Sequence, residues 1–431
     1  MMTELKLKAL RAREILDSRG NPTIEVDAVT TTGFGRASVP SGASTGLKEA
    51  VERRDGDTKR YHGKGVLQAV DAVNTVIRKR LLLMNALEQQ EIDQLLIELD
   101  GTENKSRFGA NALLGVSMAV CKAAANSLGK PLYAYIREDV AGMGHTAELP
   151  VPMLNVINGG KHAGNELSIQ EFLILPVGFQ RYSESLRAGV ETYHILKRVL
   201  TEKYGPSATN VGDEGGYAPP MRLTAQPLEA ITKAISEAGY SEKEIQLGLD
   251  AAASAFFDAR TKKYRLDGTL LEGAELLEVY RDLVTSYPIA SLEDPFEEES
   301  FALFAALTAQ LPQKLIIGDD LFVTNVKRLE MGIAQKAANA ILLKLNQIGT
   351  ISEALSTIRL ASEHGYRKVV SHRSGETEDS LIADFAVAIN ADLIKTGAPA
   401  RSERTCKYNQ LLRIEEELGS RAKSRGPVVR W

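Results

Sequence analysis

Downstream of Pro150 the chain settles into a repeating pattern that few folds satisfy. Short apolar runs at 151–157, 169–177, 245–249, 288–292, 314–317, 340–343, 368–370 and 391–394 give eight candidate strands. Amphipathic stretches at 301–311, 326–336, 350–364 and 380–389 separate the later ones. Strand alternating with helix argues for a parallel sheet covered by helices. Eight such strands argue for closure into a barrel rather than an open sheet. The interval between the second and third runs is long. It holds two helical patterns, 182–203 and 226–239, with a Gly-rich loop between them.

The first third reads differently. Alternating apolar and β-branched residues at 5–16, 22–30 and 34–40 predict strands, and helical patterns follow at 65–80, 88–99 and 110–128. Strands followed by helices suggest a small α+β domain. The expected division is residues 1–140 for that domain and 141–431 for the barrel. The basic tail, 420–431, reads as a loosely held terminus.

Composition excludes several function classes. Of 431 residues, 44% are hydrophobic and 25% charged, enough for a sizeable core without covalent staples. Two cysteines, Cys121 and Cys406, make no disulfide framework and no Cys-x-x-Cys motif. Lys plus Arg is 52 against 56 acids, so the net charge of −4 gives no support to non-specific nucleic-acid or membrane binding. No apolar run approaches the ~20 residues of a membrane helix, and the N-terminus lacks a secretory core. A reducing, cytoplasmic, soluble protein is expected.

The chemistry sits where the apolar runs stop. Six in succession end in ionisable residues: Asp250, Glu293-Asp294, Asp319-Asp320, Lys344, His372-Arg373 and Lys395. A charge at one strand end marks only the return to solvent. In a parallel barrel, however, all C-terminal strand ends face one side, so these groups converge on one cavity. Oxygen ligands without cysteine suit a hard cation such as Mg²⁺, and the basic residues suit an anionic substrate.

Other local signals add to this. The loop 39–46 is made of small, hydroxyl-bearing residues able to close over a ligand. His162 is flanked by glycines, and Asp213 and Glu214 lie among Gly212, Gly215 and Gly216, which favours close approach to a ligand over helix or strand. The stretch 371–379 has an Arg, hydroxyls and a helix start, a combination suited to an anion. The run Glu297-Glu298-Glu299 reads as a solvated helix start. Nucleotide-binding glycine motifs are missing. Gly42-Ala43-Ser44-Thr45-Gly46 fits the letters of a nucleophile elbow but lies in an open loop, so the match is by chance.

With these motifs in view, the chain resembles the enolase family along essentially its whole length. The matching stretches are 14–22, 40–46, 100–105, 212–219, 318–325 and 371–379. The resemblance implies an α/β fold: a modified TIM-type (β/α)8 barrel, its second strand antiparallel, with an N-terminal α+β capping domain carrying the 40–46 lid loop. It implies a glycolytic and gluconeogenic lyase, a phosphopyruvate hydratase that reversibly dehydrates 2-phospho-D-glycerate to phosphoenolpyruvate by a Mg-stabilised enolate mechanism. Lysine or histidine bases paired with Mg²⁺ are a known pattern of such sites.

Carried over by motif, Asp250, Glu293 and Asp319 resemble ligands of the first magnesium, and Ser44 a ligand of a second that arrives with substrate. Lys344 resembles the base and Glu214 the general acid. Arg373, Ser374 and Lys395 resemble anchors for the substrate's phosphate and carboxylate, and His162, Gln170 and Glu171 supporting pocket residues. Lys344 must start neutral to act, and Glu214 protonated; burial and Asp213 are expected to raise the latter's pKa. The family further implies a homodimer or octamer, with no nucleic acid and no membrane span; secondary display at a cell surface is known among members. Ala255 departs from the pattern, which often has Glu there.

Two other readings differ in their predictions. An acid-sugar dehydratase or racemase of the same superfamily commonly places a Lys-x-Lys on the second barrel strand, but 169–175 contains no lysine. A catalytically dead structural protein on this fold has no need of a complete set of catalytic positions, and here each is filled.

Overall fold

The computed structural model describes residues 5–42 and 46–426. Three strands, β1 (Ala9–Leu16), β2 (Pro22–Val29) and β3 (Phe34–Ser38), form an antiparallel meander. Helix Ala110–Ser127 packs across it. This helix is buried almost all round, which fits an apolar sequence covered on more than one side. Gly35 lies so close that a Cβ there would meet the Ala119 carbonyl oxygen at 2.2 Å.

The barrel is built from β4 (Val151–Asn158), β5 (Glu171–Leu175) and β6 (Gln246–Asp250), followed by a small three-stranded sheet of β7 (Phe257–Asp258), β8 (Lys263–Leu266) and β9 (Thr269–Leu271) on its rim. It is completed by β10 (Ile289–Glu293), β11 (Leu315–Gly318), β12 (Ala340–Leu343), β13 (Arg367–Ser371) and β14 (Leu393–Lys395). The eight strands close in the order β4-β5-β6-β10-β11-β12-β13-β14. Strand β5 runs antiparallel to both neighbours. Two helices, Tyr182–Tyr204 and Ala225–Glu237, fill the long interval after β5.

Strand parity decides what faces the interior, because residues two apart share a face. Val151 and Met153, Leu173 and Leu175, Leu315 and Ile317, Ala340 and Leu342, Val369 and Leu393 form one inner cluster. Their alternates, such as Leu154, Ile341 and Leu343, join the outer core beneath the helices. Both faces are buried, so the strands read as unbroken apolar runs. Gly248 meets this packing: a Cβ there would lie 2.6 Å from Ser291 Oγ.

The cap and barrel are joined by polar contacts as well as packing. Lys122 Nζ donates to both carboxylate oxygens of Asp379, and Lys105 Nζ to Glu353. Asp93 Oδ2 accepts from the backbone N and the Oγ of Ser352, at the start of helix Ile351–Glu363. Burial pushes the Asp93 carboxyl up to about 6. A carboxyl raised in the folded state favours folding only while protonated, so its contribution falls as pH rises from its unfolded value near 4 to about 6. Two pKa units correspond to about 3 kcal/mol. Asp93→Asn is therefore expected to flatten the fall in stability between pH 4 and pH 6. Urea unfolding at several pH values measures this; a slope equal to that of the parent protein would refute it.

The end of the chain is held more firmly than its composition predicts, as far as Gly426. Arg425 donates to Glu148 and Asp392, and Leu149 and Ser424 form a bridge. No single helix among the described residues is long and apolar enough to cross a membrane.

Candidate active site

Continuing the inner parity of each strand by one or two steps leads to the barrel mouth. Leu315 and Ile317 lead to Asp319, Ala340 and Leu342 to Lys344, Val369 and Ser371 to Arg373, and Leu393 to Lys395. Glu293 and Asp250 end their strands side by side in register. Because β5 runs the other way, its first residue, Glu171, rather than its last reaches the same end, opposite Asp250. Together with His162, Gln170, Glu214 and Ser374 these residues, Glu293 excepted, line one cleft; Glu293 pairs with Lys395 of its wall.

Lys395 is the hub of the acidic wall. Its Nζ donates to Asp250 Oδ2 at 2.8 Å and to Glu293 Oε1 and Oε2 at 2.8 and 2.9 Å, and lies 3.2 Å from Glu171 Oε2. Burial opposes its charge, but Asp250, Glu171 and Glu293 together hold its pKa well above the usual lysine range. Glu293 is pushed well up by burial and by Asp250. Lys344 Nζ donates to Asp319 Oδ2; burial opposes the lysine's charge, but Asp319 together with Glu49 raises its pKa.

Asp250, Glu293 and Asp319 do not together form one of the tight ligand groups of the described residues, although Asp319 belongs to one. Those groups, each with ligand atoms within 4.8 Å of one another, are His162–Glu171–Glu214 and Asp294–Asp319–Asp320. The predicted trio instead has two ammonium groups lodged on it. Its donors are all oxygen and its charge calls for a cation, which fits a hard divalent ion. Gln170 Oε1, in the same cleft, has no hydrogen-bond partner among the described residues.

Glu214 occupies the other side. The glycines around it serve close packing against protein: a Cβ at Gly212 would meet the His162 carbonyl oxygen at 2.4 Å, and one at Gly216 would meet Asn158 Oδ1 at 2.5 Å. Asn155 Nδ2 of β4 donates to Glu214 Oε2. His372 Nε2 lies 3.2 Å from the same oxygen, and His162 Nδ1 3.6 Å from Oε1. Arg404 donates from NH1 to His372 Nδ1, so the proton of the neutral ring sits on Nε2, facing Glu214. Burial pushes the His372 imidazolium down to about 4. Contrary to the sequence expectation, Glu214 lies well below the usual carboxyl range. Burial alone would raise it, but His372, His162 and Arg404 prevail, and Asp213 is not among the main causes.

Asp294 belongs to the strand-end pattern, whereas Glu49 and Glu298 have no signal in it. Asp294 accepts from the backbone amides of Asp319 and Asp320 and so fixes the loop after β11. Glu49 binds the Arg373 guanidinium. Glu298, expected in solvent, is buried and accepts from the Leu47 amide. Their charges are visible in the sequence, but only the tertiary fold says where they point. Ser44 lies outside the described residues.

The arrangement of both layers matches known proteins. Residues 7–136 match the family model of the enolase N-terminal domain and residues 146–430 that of the enolase C-terminal TIM barrel domain. The chain is 63% identical over 417 residues to an enolase of Methanococcoides burtonii, covering 97% of this chain and 96% of that one. It is 59% identical over 420 residues to an enolase of Thermococcus gammatolerans (97% and 96%), and 60% identical over 409 residues to one of Pyrococcus furiosus (94% of each). The chain belongs to the enolase family. It is a phosphopyruvate hydratase, interconverting 2-phospho-D-glycerate with phosphoenolpyruvate and water in glycolysis. Enolases depend on magnesium in general, and the acidic groups of the cleft suit that ion.

Proposed function

We propose that this enolase works by proton removal at Lys344 and proton delivery at Glu214, with Asp250, Glu293 and Asp319 holding a magnesium ion between them. One observation carries the reading: in a single cleft an amine at the end of β12 and a carboxyl supported from β4 flank a wall of inward carboxylates. Bound there, magnesium supplies electrostatic stabilisation of the charge that develops on the substrate carboxylate when the adjacent carbon loses its proton.

The rest of the work belongs to the side chains. Lys344 must shed its proton before it accepts one. Asp319 now holds that proton in place; with its carboxylate engaged by a cation, the nearby Arg373 and Lys395 favour the neutral amine. Lys395, fixed by three carboxylates, cannot serve as base and stays a permanent cation for the substrate carboxylate. Arg373, with Ser374 beside it, offers a planar fork for the phosphate. Glu214 gives a proton to the departing hydroxyl, and His162, Gln170 and Glu171 shape the wall around it.

The same reading includes two magnesium ions per site, the second arriving with substrate and bound in part by Ser44. It places the protein in the cytoplasm as at least a homodimer and divides the chain into a cap of residues 1–140 and a barrel of 141–431. Absorbance of the enol product follows turnover directly. Exhaustive chelation is expected to abolish it and added Mg²⁺ to restore it; full turnover after chelation would remove the metal from this account.

A further inference from the structure

Arg373 already has an anion in its fork. Its NH1 donates to Glu49 Oε2 at 2.9 Å and its NH2 to Glu49 Oε1 at 3.1 Å, a two-pronged carboxylate pair in which both side chains are buried. Asn346 Oδ1 accepts from NH1 at 2.9 Å and fixes the guanidinium plane. A buried guanidinium needs such a partner, because an unpaired charge there is costly. Glu49's other contacts are no shorter than 3.1 Å: Gly46 N donates at 3.1 Å, and Gln347 Nε2 at 3.3 Å while donating to Asp319 at 2.9 Å.

We propose that Glu49 is a specificity-determining residue, an internal carboxylate that occupies the anion seat of Arg373 and is displaced by the substrate's phosphate group. The proposal rests on Arg373 being the phosphate anchor. The NH1–NH2 edge that Glu49 fills cannot hold a second anion side-on at the same time, and like charges brought together there repel. A phosphate dianion brings more charge than the carboxylate it displaces, whereas a singly charged ligand gains nothing by the exchange. Glu49 thereby discriminates for doubly charged groups and keeps Arg373 oriented between turnovers.

Inorganic phosphate is the probe, its dissociation constant measured by phosphorus NMR titration of the magnesium-loaded protein. Glu49→Gln removes the competing charge and is expected to tighten phosphate binding roughly tenfold, the scale of a buried charge pair. In an Arg373→Met background the same substitution is expected to have no effect, since the seat is gone. Unchanged or weaker binding in the single variant, or equal tightening in both backgrounds, would overturn the role of Glu49. Phosphate affinity unaffected by Arg373→Met alone would instead overturn the anchor. If Glu49→Gln does not fold, Glu49→Asp, too short to span the fork, is expected to tighten binding in the same direction, and no tightening overturns the proposal.

Discussion

Lys344→Ala is expected to stop exchange of the carbon-2 hydrogen of 2-phosphoglycerate with solvent and to lower turnover by about a thousandfold or more, within the range of a lost general base. Proton NMR in deuterated buffer reads the exchange directly. The scaffold around this residue does not depend on its side chain: its amide donates to Thr324 Oγ1, which in turn donates to Gln347 Oε1. Truncation therefore removes an amine and leaves the strand end in place. The other amine of the cleft is a poor substitute, because Asp250, Glu171 and Glu293 hold the Lys395 proton firmly. Removing Lys344 also frees Asp319 from its ammonium, so magnesium binding should not weaken. Exchange that survives in this variant would take the base assignment away from Lys344.

Strand parity explains how much of this was legible in the sequence. Asp319, Lys344, Arg373 and Lys395 extend inward-facing positions of apolar runs, so a period of two, once the barrel is inferred, aims them at one mouth. The same parity is silent on strand direction. Residues 171–175 are buried on both faces and read alike in either sense, so the reversal of β5, which puts Glu171 rather than Leu175 at the mouth, rested on family likeness. Contacts from distant segments were hidden altogether. Glu49 lies 324 residues from Arg373, and nothing in the local pattern at either end records the pair. Glu298 sits in an acidic run that reads as solvated, yet the cap descends onto it through the Leu47 amide. Electrostatics were the least legible of all. Asp213 is Glu214's neighbour in sequence, but the field at Glu214 comes from His372, His162 and Arg404, brought in by the fold.

That field shapes what Glu214→Gln should do. Turnover is expected to fall by roughly 10²–10⁴, the range of a lost general acid, while exchange at carbon 2 continues. The amide is nearly isosteric, and its oxygen can still accept from Asn155 Nδ2, so the loop 212–216 has no cause to move. Only the ability to deliver a proton is lost. In the resting site that proton does not sit on Glu214, whose carboxyl is held ionised against the pull of burial. His162, whose pKa Glu214 and Glu171 raise above its usual value although burial opposes them, lies within 3.6 Å and is the nearest group able to store it. An anionic substrate entering the cleft adds negative charge beside both groups and raises the carboxyl's hold on a proton. In the proposed mechanism, removal of carbon-bound hydrogen at Lys344 precedes any demand on this acid, which is why the two variants should separate the half-reactions. Loss of exchange together with dehydration in Glu214→Gln would make Glu214 a support for the first step, and dehydration at the parent rate would leave the leaving hydroxyl to another donor.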